Sequence, residues 1–92
     1  MPRAKVGVQQ MRVQADDEVH ILAHRLPFVA WRMSRWNARR RDELLVRLKI
    51  AESQGCVYTV QLRAHTGITG LVHVIDGAGN RYSAHHTDLV RV

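Results

Sequence analysis

The chain has 92 residues, of which 46% are hydrophobic, and it carries a formal net charge of +6 at pH 7. This length suits one small domain, and the apolar content excludes a wholly disordered chain. No apolar stretch approaches the roughly 20 residues of a membrane-spanning helix, and the first charged residues do not lead into a secretory signal, so we expect a cytoplasmic protein. Cys56 is the only cysteine, which excludes an internal disulfide bond and a cysteine cluster for zinc.

Residues 1–15 are predicted to form an arm or an edge strand. Their apolar residues alternate weakly with polar ones. The alternating residues are Val6, Val8, Met11 and Val13.

Residues 16–55 are predicted to be mainly helical. The acidic run at residues 16–18 favours a helix start, and Pro27 predicts a break before the next helical segment. Residues 28–54 lack glycine and proline, with an interruption expected at Asn37, and Gly55 has the position of a C-terminal cap. The apolar residues at helical spacing are predicted to face the core: Val29, Met33, Trp36, Leu44, Leu48 and Ala51.

Residues 56–92 are predicted to form a small, strongly bent antiparallel sheet or barrel. Alternating apolar residues and turn signals place its strands at residues 57–63, 68–75, 81–86 and 89–92. Gly67 marks a turn, Gly70 indicates a sharp bend, and residues 76–80 have the composition of a turn. The predicted fold class is therefore α+β, a single domain in which N-terminal helices precede the bent sheet.

One stretch of the predicted sheet resembles the first signature motif of the Sm-like proteins. It reads Gly70-x-Val72-x-x-Ile75-Asp76-x-x-x-Asn80 and follows a strand that ends at Leu62. In that family a helix leads into a bent five-stranded barrel, subunits associate into rings, and RNA is bound along the inner rim. The resemblance implies that Asp76 and Asn80 lie near a base-binding position.

The same turn is flanked by Tyr82, whose ring has the chemistry to stack on a base, while a carboxylate and an amide can read a base edge. The second signature of the Sm-like family, with an Arg-Gly or Lys-Gly pair, is absent from residues 83–92. Another SH3-like small barrel is therefore the alternative fold.

The densest positive charge lies between residues 31 and 41, where five arginines occur without an acidic residue. They are Arg32, Arg35, Arg39, Arg40 and Arg41. On one continuous helix, three of them would fall within about 60° of each other and form a cationic stripe that can follow phosphates. Two tryptophans in the segment can stack on bases. The alternatives are a solvated structural face with Trp36 in the core, and a surface for a protein or an acidic membrane.

The histidines do not form a convincing chemical site. His20 and His24 have the i, i+4 spacing of a two-ligand metal face, but no third histidine is near in sequence, so no metal or other cofactor is predicted. His85 and His86 precede Asp88, yet adjacent residues of a strand face opposite sides of a sheet, and no nucleophile motif is present. We therefore predict that the protein is not an enzyme.

The predicted function is non-catalytic binding of RNA or DNA. The arginine-rich segment is the main predicted contact, and Asp76, Asn80 and Tyr82 form a second, base-contacting group. The alternative is a structural or adaptor subunit of a larger assembly, or a homo-oligomer. In that case the sheet edges and the basic helix would meet other protein chains.

Overall fold

The fold is α+β, with two helices and a five-stranded antiparallel sheet. It is seen in a computed structural model that describes residues 13–61 and 70–92. The helices are α1 (Leu26–Met33) and α2 (Ala38–Ser53), and single 3₁₀ turns occupy Ala23–Arg25 and His86–Asp88. The strands are β1 (Glu18–Ile21), β2 (Tyr58–Gln61), β3 (Leu71–Ile75), β4 (Arg81–His85) and β5 (Leu89–Arg91). Most of the predicted N-terminal arm and the predicted turn at Gly67 lie outside the described residues.

The five strands form an open sheet in the order β4-β3-β2-β1-β5, so β4 and β5 lie at opposite edges. Nevertheless, only residues 86–88 connect these two edge strands. A flat five-stranded sheet would separate them by about 19 Å, whereas three residues in 3₁₀ geometry rise only about 6 Å. The sheet must therefore be strongly curled, although the described strands do not close it into a barrel.

The helices lie in the middle of the chain, so the prediction of N-terminal helices was wrong. The segment that we predicted as a first helix contains β1, where Val19 and Ile21 are buried on one face. β1 is an interior strand of the sheet, paired with β2 on one side and β5 on the other. Because this position gives its backbone hydrogen-bond partners on both sides and buries two β-branched residues, it outweighs the helix-start signal of the acidic run. Asp16 instead adopts a positive φ of 73° in the turn before the strand.

Breaks and caps follow the local sequence. Pro27 lies in the first turn of α1, where its missing N–H removes no helical hydrogen bond. The interruption expected at Asn37 is confirmed, because its side chain accepts a hydrogen bond from the Arg40 N–H and caps α2. Gly55 follows α2 with a φ of 73°, the left-handed conformation typical of a C-terminal cap.

The strand predictions within the described residues are confirmed in position. In β2, Tyr58 and Val60 are buried while Thr59 and Gln61 are partly exposed, which is the predicted alternation. The turn predicted at residues 76–80 joins β3 to β4. Gly70 directly precedes β3 with a φ of 84°, and an added Cβ would come within 2.7 Å of the rings of His85 and His86, so any other residue there would be strained and would displace these rings.

The core lies between the inner face of the sheet and the two helices. Its members are apolar except for the hydroxyl groups of two tyrosines, Tyr58 and Tyr82, whose rings pack edge to face with centroids 5.8 Å apart. The other buried apolar residues are Val19, Ile21, Leu26, Val29, Ala30, Leu44, Leu48, Val60, Val74, Ala84 and Leu89. Such a core is modest in size, which makes any additional link between the helices and the sheet important.

A buried ionic cluster provides that link. The carboxylate of Asp88 is fully buried and accepts a 2.8 Å hydrogen bond from Nε of Arg25 and 3.3 Å hydrogen bonds from both terminal nitrogens of Arg32. The carbonyl oxygen of Asp88 also accepts a 2.8 Å hydrogen bond from the Leu22 N–H, next to the end of β1. One residue therefore ties together the end of β1, the start of α1 and the connection between β4 and β5.

The same cluster covers the outer edge of β4. The backbone N–H and C=O groups of the even-numbered residues of β4 point towards β3. This follows from the next even residue, His86, whose N–H donates a hydrogen bond to the Gly70 carbonyl oxygen. The odd-numbered residues therefore present their backbone groups outward. Among these, the Ser83 carbonyl oxygen accepts a 3.1 Å hydrogen bond from Arg32, and the His85 N–H donates a 2.9 Å hydrogen bond to the Asp88 carboxylate. Two outward-facing backbone groups of β4 are thus occupied by side chains.

Replacing Asp88 with Ala should reduce the free energy of unfolding by about 3 kcal/mol. The change leaves two arginines without their carboxylate and the His85 N–H without its acceptor. Urea unfolding followed by circular dichroism measures the loss. Asp42→Ala is the matched control, because Asp42 is exposed on α2, and it should change stability by less than about 0.5 kcal/mol. Equal stability of the two variants would contradict the role of the cluster.

Candidate functional site

The two faces of α1 have different environments. Leu26, Val29 and Ala30 are buried against the core. On the opposite side, the rings of Phe28 and Trp31 are each about half exposed, and they lie about 60° apart around the helix axis. Large aromatic side chains gain free energy when they are buried, so they are seldom left exposed in neighbouring positions. Where they are, the exposed rings are typical of a binding surface.

Trp36 is the most exposed of the large apolar side chains that the structure describes, at 90%. The helical spacing of Val29, Met33 and Trp36 favoured a position in the core, and that interpretation was wrong. α1 ends at Met33, and residues 34–36 form a turn, so the periodicity of the helix does not extend to Trp36. The side chain is presented to solvent by the connection between the two helices.

Hydrogen bonds at both ends hold this connection in place. Ser34 is buried, and its hydroxyl donates to the Ala30 carbonyl oxygen, while its carbonyl accepts a 3.0 Å hydrogen bond from the Asn37 N–H. The guanidinium of Arg41 donates a 3.2 Å hydrogen bond to the Arg35 carbonyl oxygen. Together with the Asn37 cap, these contacts fix the backbone on both sides of Trp36.

Arg32 does not belong to an exposed cationic stripe. Its guanidinium is bound by the Asp88 carboxylate and the Ser83 carbonyl oxygen, and its side chain is only 23% exposed. The stripe predicted for Arg32, Arg35 and Arg39 is also broken by the turn between α1 and α2, because these residues do not share one helix. Sequence spacing alone overestimated the number of arginines available to a partner.

Three arginines of the segment remain exposed: Arg35, Arg39 and Arg40. Within the described part of the chain, none of them forms an ion pair with an acidic side chain. Arg41 is partly buried, and one of its terminal nitrogens donates a hydrogen bond to the Arg35 carbonyl oxygen. The first turn of α2 contains no acidic residue. Its cations therefore lie at the positive end of the helix dipole, a position that favours anions instead.

Two of the exposed aromatic rings carry a guanidinium. The Arg25 guanidinium carbon lies 4.4 Å from the centroid of the Phe28 ring, and that of Arg35 lies 5.0 Å from the centroid of the Trp31 ring. Both distances are within the range of cation–π interactions. Phe28 contributes to the exposed surface and Arg25 covers its ring, although our predictions from the sequence named neither residue. The signal available for them was the i, i+3 spacing of Arg25, Phe28 and Trp31.

We refer to the exposed side chains of this segment as the basic-aromatic patch. It comprises Phe28, Trp31, Arg35, Trp36, Arg39 and Arg40. The patch spans the solvent side of α1, the interhelical connection and the first turn of α2. It combines positive charge with planar apolar surface.

Asp76 and Asn80 satisfy each other within the turn between β3 and β4. Oδ1 of Asp76 accepts 2.9 Å hydrogen bonds from the N–H groups of Ala78 and Asn80, and Oδ2 accepts a 3.1 Å hydrogen bond from the Asn80 side-chain amide. Burial raises the pKa of Asp76, but the hydrogen bonds from Asn80 and Ala78 outweigh it and lower the pKa below its ordinary value. Both side chains thus stabilise the hairpin. The atoms that would contact a base, the Asp76 carboxylate oxygens and the Asn80 amide nitrogen, already form hydrogen bonds within the turn.

The third member of the predicted base-contacting group, Tyr82, is a core residue. Its side chain is only 3% exposed and packs against Tyr58. Burial likewise raises the pKa of Tyr58 far above its ordinary value. The even position of Tyr82 in β4 points its ring towards the helices, so in this structure the ring cannot stack on a base. The structure does not bring Asp76, Asn80 and Tyr82 together as an accessible group.

His20 and His85 make local hydrogen bonds. Nδ1 of His20 donates a 2.9 Å hydrogen bond to the Cys56 carbonyl oxygen, and His20 lies on β1, so it does not share a helix face with His24. Nδ1 of His85 lies 2.8 Å from the Thr87 hydroxyl, while the carboxylate of Asp88 is engaged by arginines. Among the described residues, no group of three or more histidine, cysteine or acidic residues has the arrangement of a metal site.

A half-open cavity of about 330 Å³ lies beside β1 and the end of α2. Its lining is mostly apolar, with His20, Glu52 and Cys56 as its polar residues, besides the Tyr58 hydroxyl. This volume is at the lower limit for small-molecule sites, and the Nδ1 atom of His20 is already used by the Cys56 carbonyl. The basic-aromatic patch is therefore the stronger candidate site.

Comparison of the chain with protein-family models, with curated proteins and with solved structures gave no significant match. Within residues 13–61 and 70–92, neither helix has the length and apolar character needed to cross a membrane.

The hairpin role of Asp76 gives a pH-dependent prediction. Because folding lowers its pKa, the contribution of Asp76 to stability is present above the ordinary aspartate value of 3.8 and is lost as the pH falls through the lower folded value. Asp76→Asn should therefore be less stable than the native protein near neutral pH, and the difference should shrink on acidification to about pH 3. Urea unfolding at both pH values measures it.

Asp42→Asn, which removes an exposed carboxylate from α2, shows how much of the change reflects overall charge. A stability difference for Asp76→Asn that is constant or grows towards low pH would disprove the assignment.

Proposed function

We propose that the protein binds nucleic acid, RNA or DNA, without catalysing a reaction, and that the basic-aromatic patch is the contact surface. The observation that carries this proposal is the exposure of Trp36 beside three arginines without acidic partners in the described chain. Polyanions with planar bases complement both features, since guanidinium groups bind phosphates and indole rings stack on bases.

The exposed aromatic surface supports the proposal of a partner that covers the patch. A tryptophan side chain offers on the order of 200 Å² of surface, so leaving Trp36 90% exposed forgoes about 4 kcal/mol of burial in the free protein. A small domain with a modest core has little stability to spare for this. Burial of Trp36 against a base would recover part of that free energy.

The distribution of charge favours an anionic partner over a neutral one. Of the formal charge of +6, three positive charges belong to Arg35, Arg39 and Arg40. Two of these lie in the first turn of α2, where the helix dipole adds to the positive potential. Repulsion among these groups costs stability in the free protein and is relieved when phosphates approach.

We also propose that the sheet belongs to a small barrel. The strong curl that the three-residue link between β4 and β5 imposes supports a sheet of the Sm-like or SH3-like barrel type. The proposed contact surface nevertheless lies on the helices that follow β1 and does not use Asp76, Asn80 and Tyr82. Membership of the Sm-like family and a cytoplasmic location stay predictions from the sequence.

A structural or adaptor subunit is the second candidate function. It is favoured by Val46 and Ile50, which are 58% and 53% exposed one turn apart on α2. Pairing through the edge of β4 is less well supported, because Arg32 and Asp88 occupy two of its outward backbone groups. Any oligomer would therefore use another surface, such as this apolar stripe.

The proposal predicts that Arg39→Ala/Arg40→Ala weakens binding to RNA and DNA oligonucleotides by about 10-fold near 0.1 M salt, to a similar degree for different sequences. Removing two phosphate contacts should also flatten the dependence of log K on log salt by about 1.5 to 2. Fluorescence anisotropy with labelled oligonucleotides across a salt series measures both effects.

The matched control is Arg47→Ala/Lys49→Ala, which removes two exposed cations from the same helix outside the patch. Equal losses in the two double variants would show that net charge alone drives binding. No detectable binding of the native protein to any nucleic acid would refute the proposed function.

A further inference from the structure

Building on the proposed function, we infer that the partner is single-stranded nucleic acid and that Trp36 is the side chain on which an unpaired base stacks. The choice of Trp36 follows from differences among the three exposed rings of the basic-aromatic patch.

Trp36 differs from the other two rings in what covers it. Phe28 and Trp31 each have a guanidinium over the ring and are only about half exposed. Within the described residues, no aromatic or cation–π contact involves Trp36, and only a tenth of its surface is covered. Its indole therefore offers the largest planar surface of the patch to a base.

The ring is also held on a backbone that is already ordered. Buried Ser34 precedes Trp36 and the Asn37 cap follows it, and the Arg41 guanidinium holds the Arg35 carbonyl oxygen. Ordering of the backbone therefore adds little to the entropy cost of binding. A held backbone also limits the positions that the ring can take, and stacking requires the ring and the base to lie parallel and in contact.

Stacking on Trp36 discriminates between single strands and duplexes. In a duplex, both faces of an internal base are covered by neighbouring base pairs, so an indole on the protein surface reaches only the backbone. In a single strand, a base can leave its neighbours and stack on an aromatic ring. The neighbouring Arg35, Arg39 and Arg40 would contact the adjacent phosphates in either polymer, so the tryptophan decides the preference.

The two tryptophans are the only ones in the chain, which permits a direct test by intrinsic fluorescence. Trp31→Phe leaves Trp36 as the single reporter, and Trp36→Phe leaves Trp31. Each variant is titrated with an oligothymidylate of about 12 nucleotides, with an abasic strand of equal length and charge, and with a duplex of equal length.

We expect oligothymidylate to quench the emission of the Trp31→Phe variant strongly and that of the Trp36→Phe variant weakly. Neither the abasic strand nor the duplex should reproduce this quenching. Trp36→Ala should weaken oligothymidylate binding by about 5- to 100-fold and leave abasic-strand binding unchanged. Val46→Ala, which removes an exposed apolar side chain from α2, is the matched control and should bind like the native protein.

The outcomes separate the two proposals. Equal binding of all three polymers, without quenching at Trp36, would overturn the inference and leave nucleic-acid binding through phosphates intact. No binding of any polymer would overturn both. In that case, a blue shift of Trp36 emission with rising protein concentration would assign the patch to contact with a second copy of the chain.

Discussion

The buried carboxylate of Asp88 is the interaction on which the arrangement of this small fold depends. The sheet is open, and its two edge strands are connected by only three residues. Asp88 lies in that connection and binds Arg25 and Arg32, from the segment between β1 and β2. A fully buried charge is tolerated only when its hydrogen-bonding capacity is filled, and here two guanidinium groups and the His85 N–H fill it. The pairing therefore fixes the position of α1 relative to the curled sheet.

As a result of this pairing, one side of α1 packs on the core and the other side faces solvent. Apolar residues and Arg32 attach the helix to the core and to the edge of β4. The opposite side then has to face solvent, and it presents Phe28 and Trp31. Buried Ser34 follows the last residue of α1, and the turn that begins there places Trp36 and the following arginines at the end of the helix pair where α1 ends and α2 begins. The anchoring of Arg32 thus reduces the exposed positive charge of the segment and at the same time orients the aromatic surface that remains.

Much of the fold could be predicted from local patterns, and the exceptions have physical causes. Period-two alternation located β2, and turn composition located the hairpin after β3, because short-range backbone preferences decide both features. β1 was missed because partners on both of its sides, distant in sequence, stabilise it against a helix-start signal. Trp36 was assigned to the core because one helix was extended across the turn at residues 34–36. The burial of Tyr82 follows from its strand position, whereas the partner of Arg32 is 56 residues away and leaves no local signal.

The basic-aromatic patch is the place where the sequence departs most clearly from what stability alone would favour. Helix starts are stabilised by acidic residues, yet the first turn of α2 carries arginines and no acid. Tryptophan gains most from burial, yet Trp36 is the most exposed large apolar residue described. Each departure lowers the stability of the free protein. The proposed partner accounts for both departures at once, because a nucleic acid binds positive charge through its phosphates and an exposed ring through its bases, whereas each feature is a separate cost for the fold. The proposed function therefore rests on these two local features more than on the overall charge of the chain.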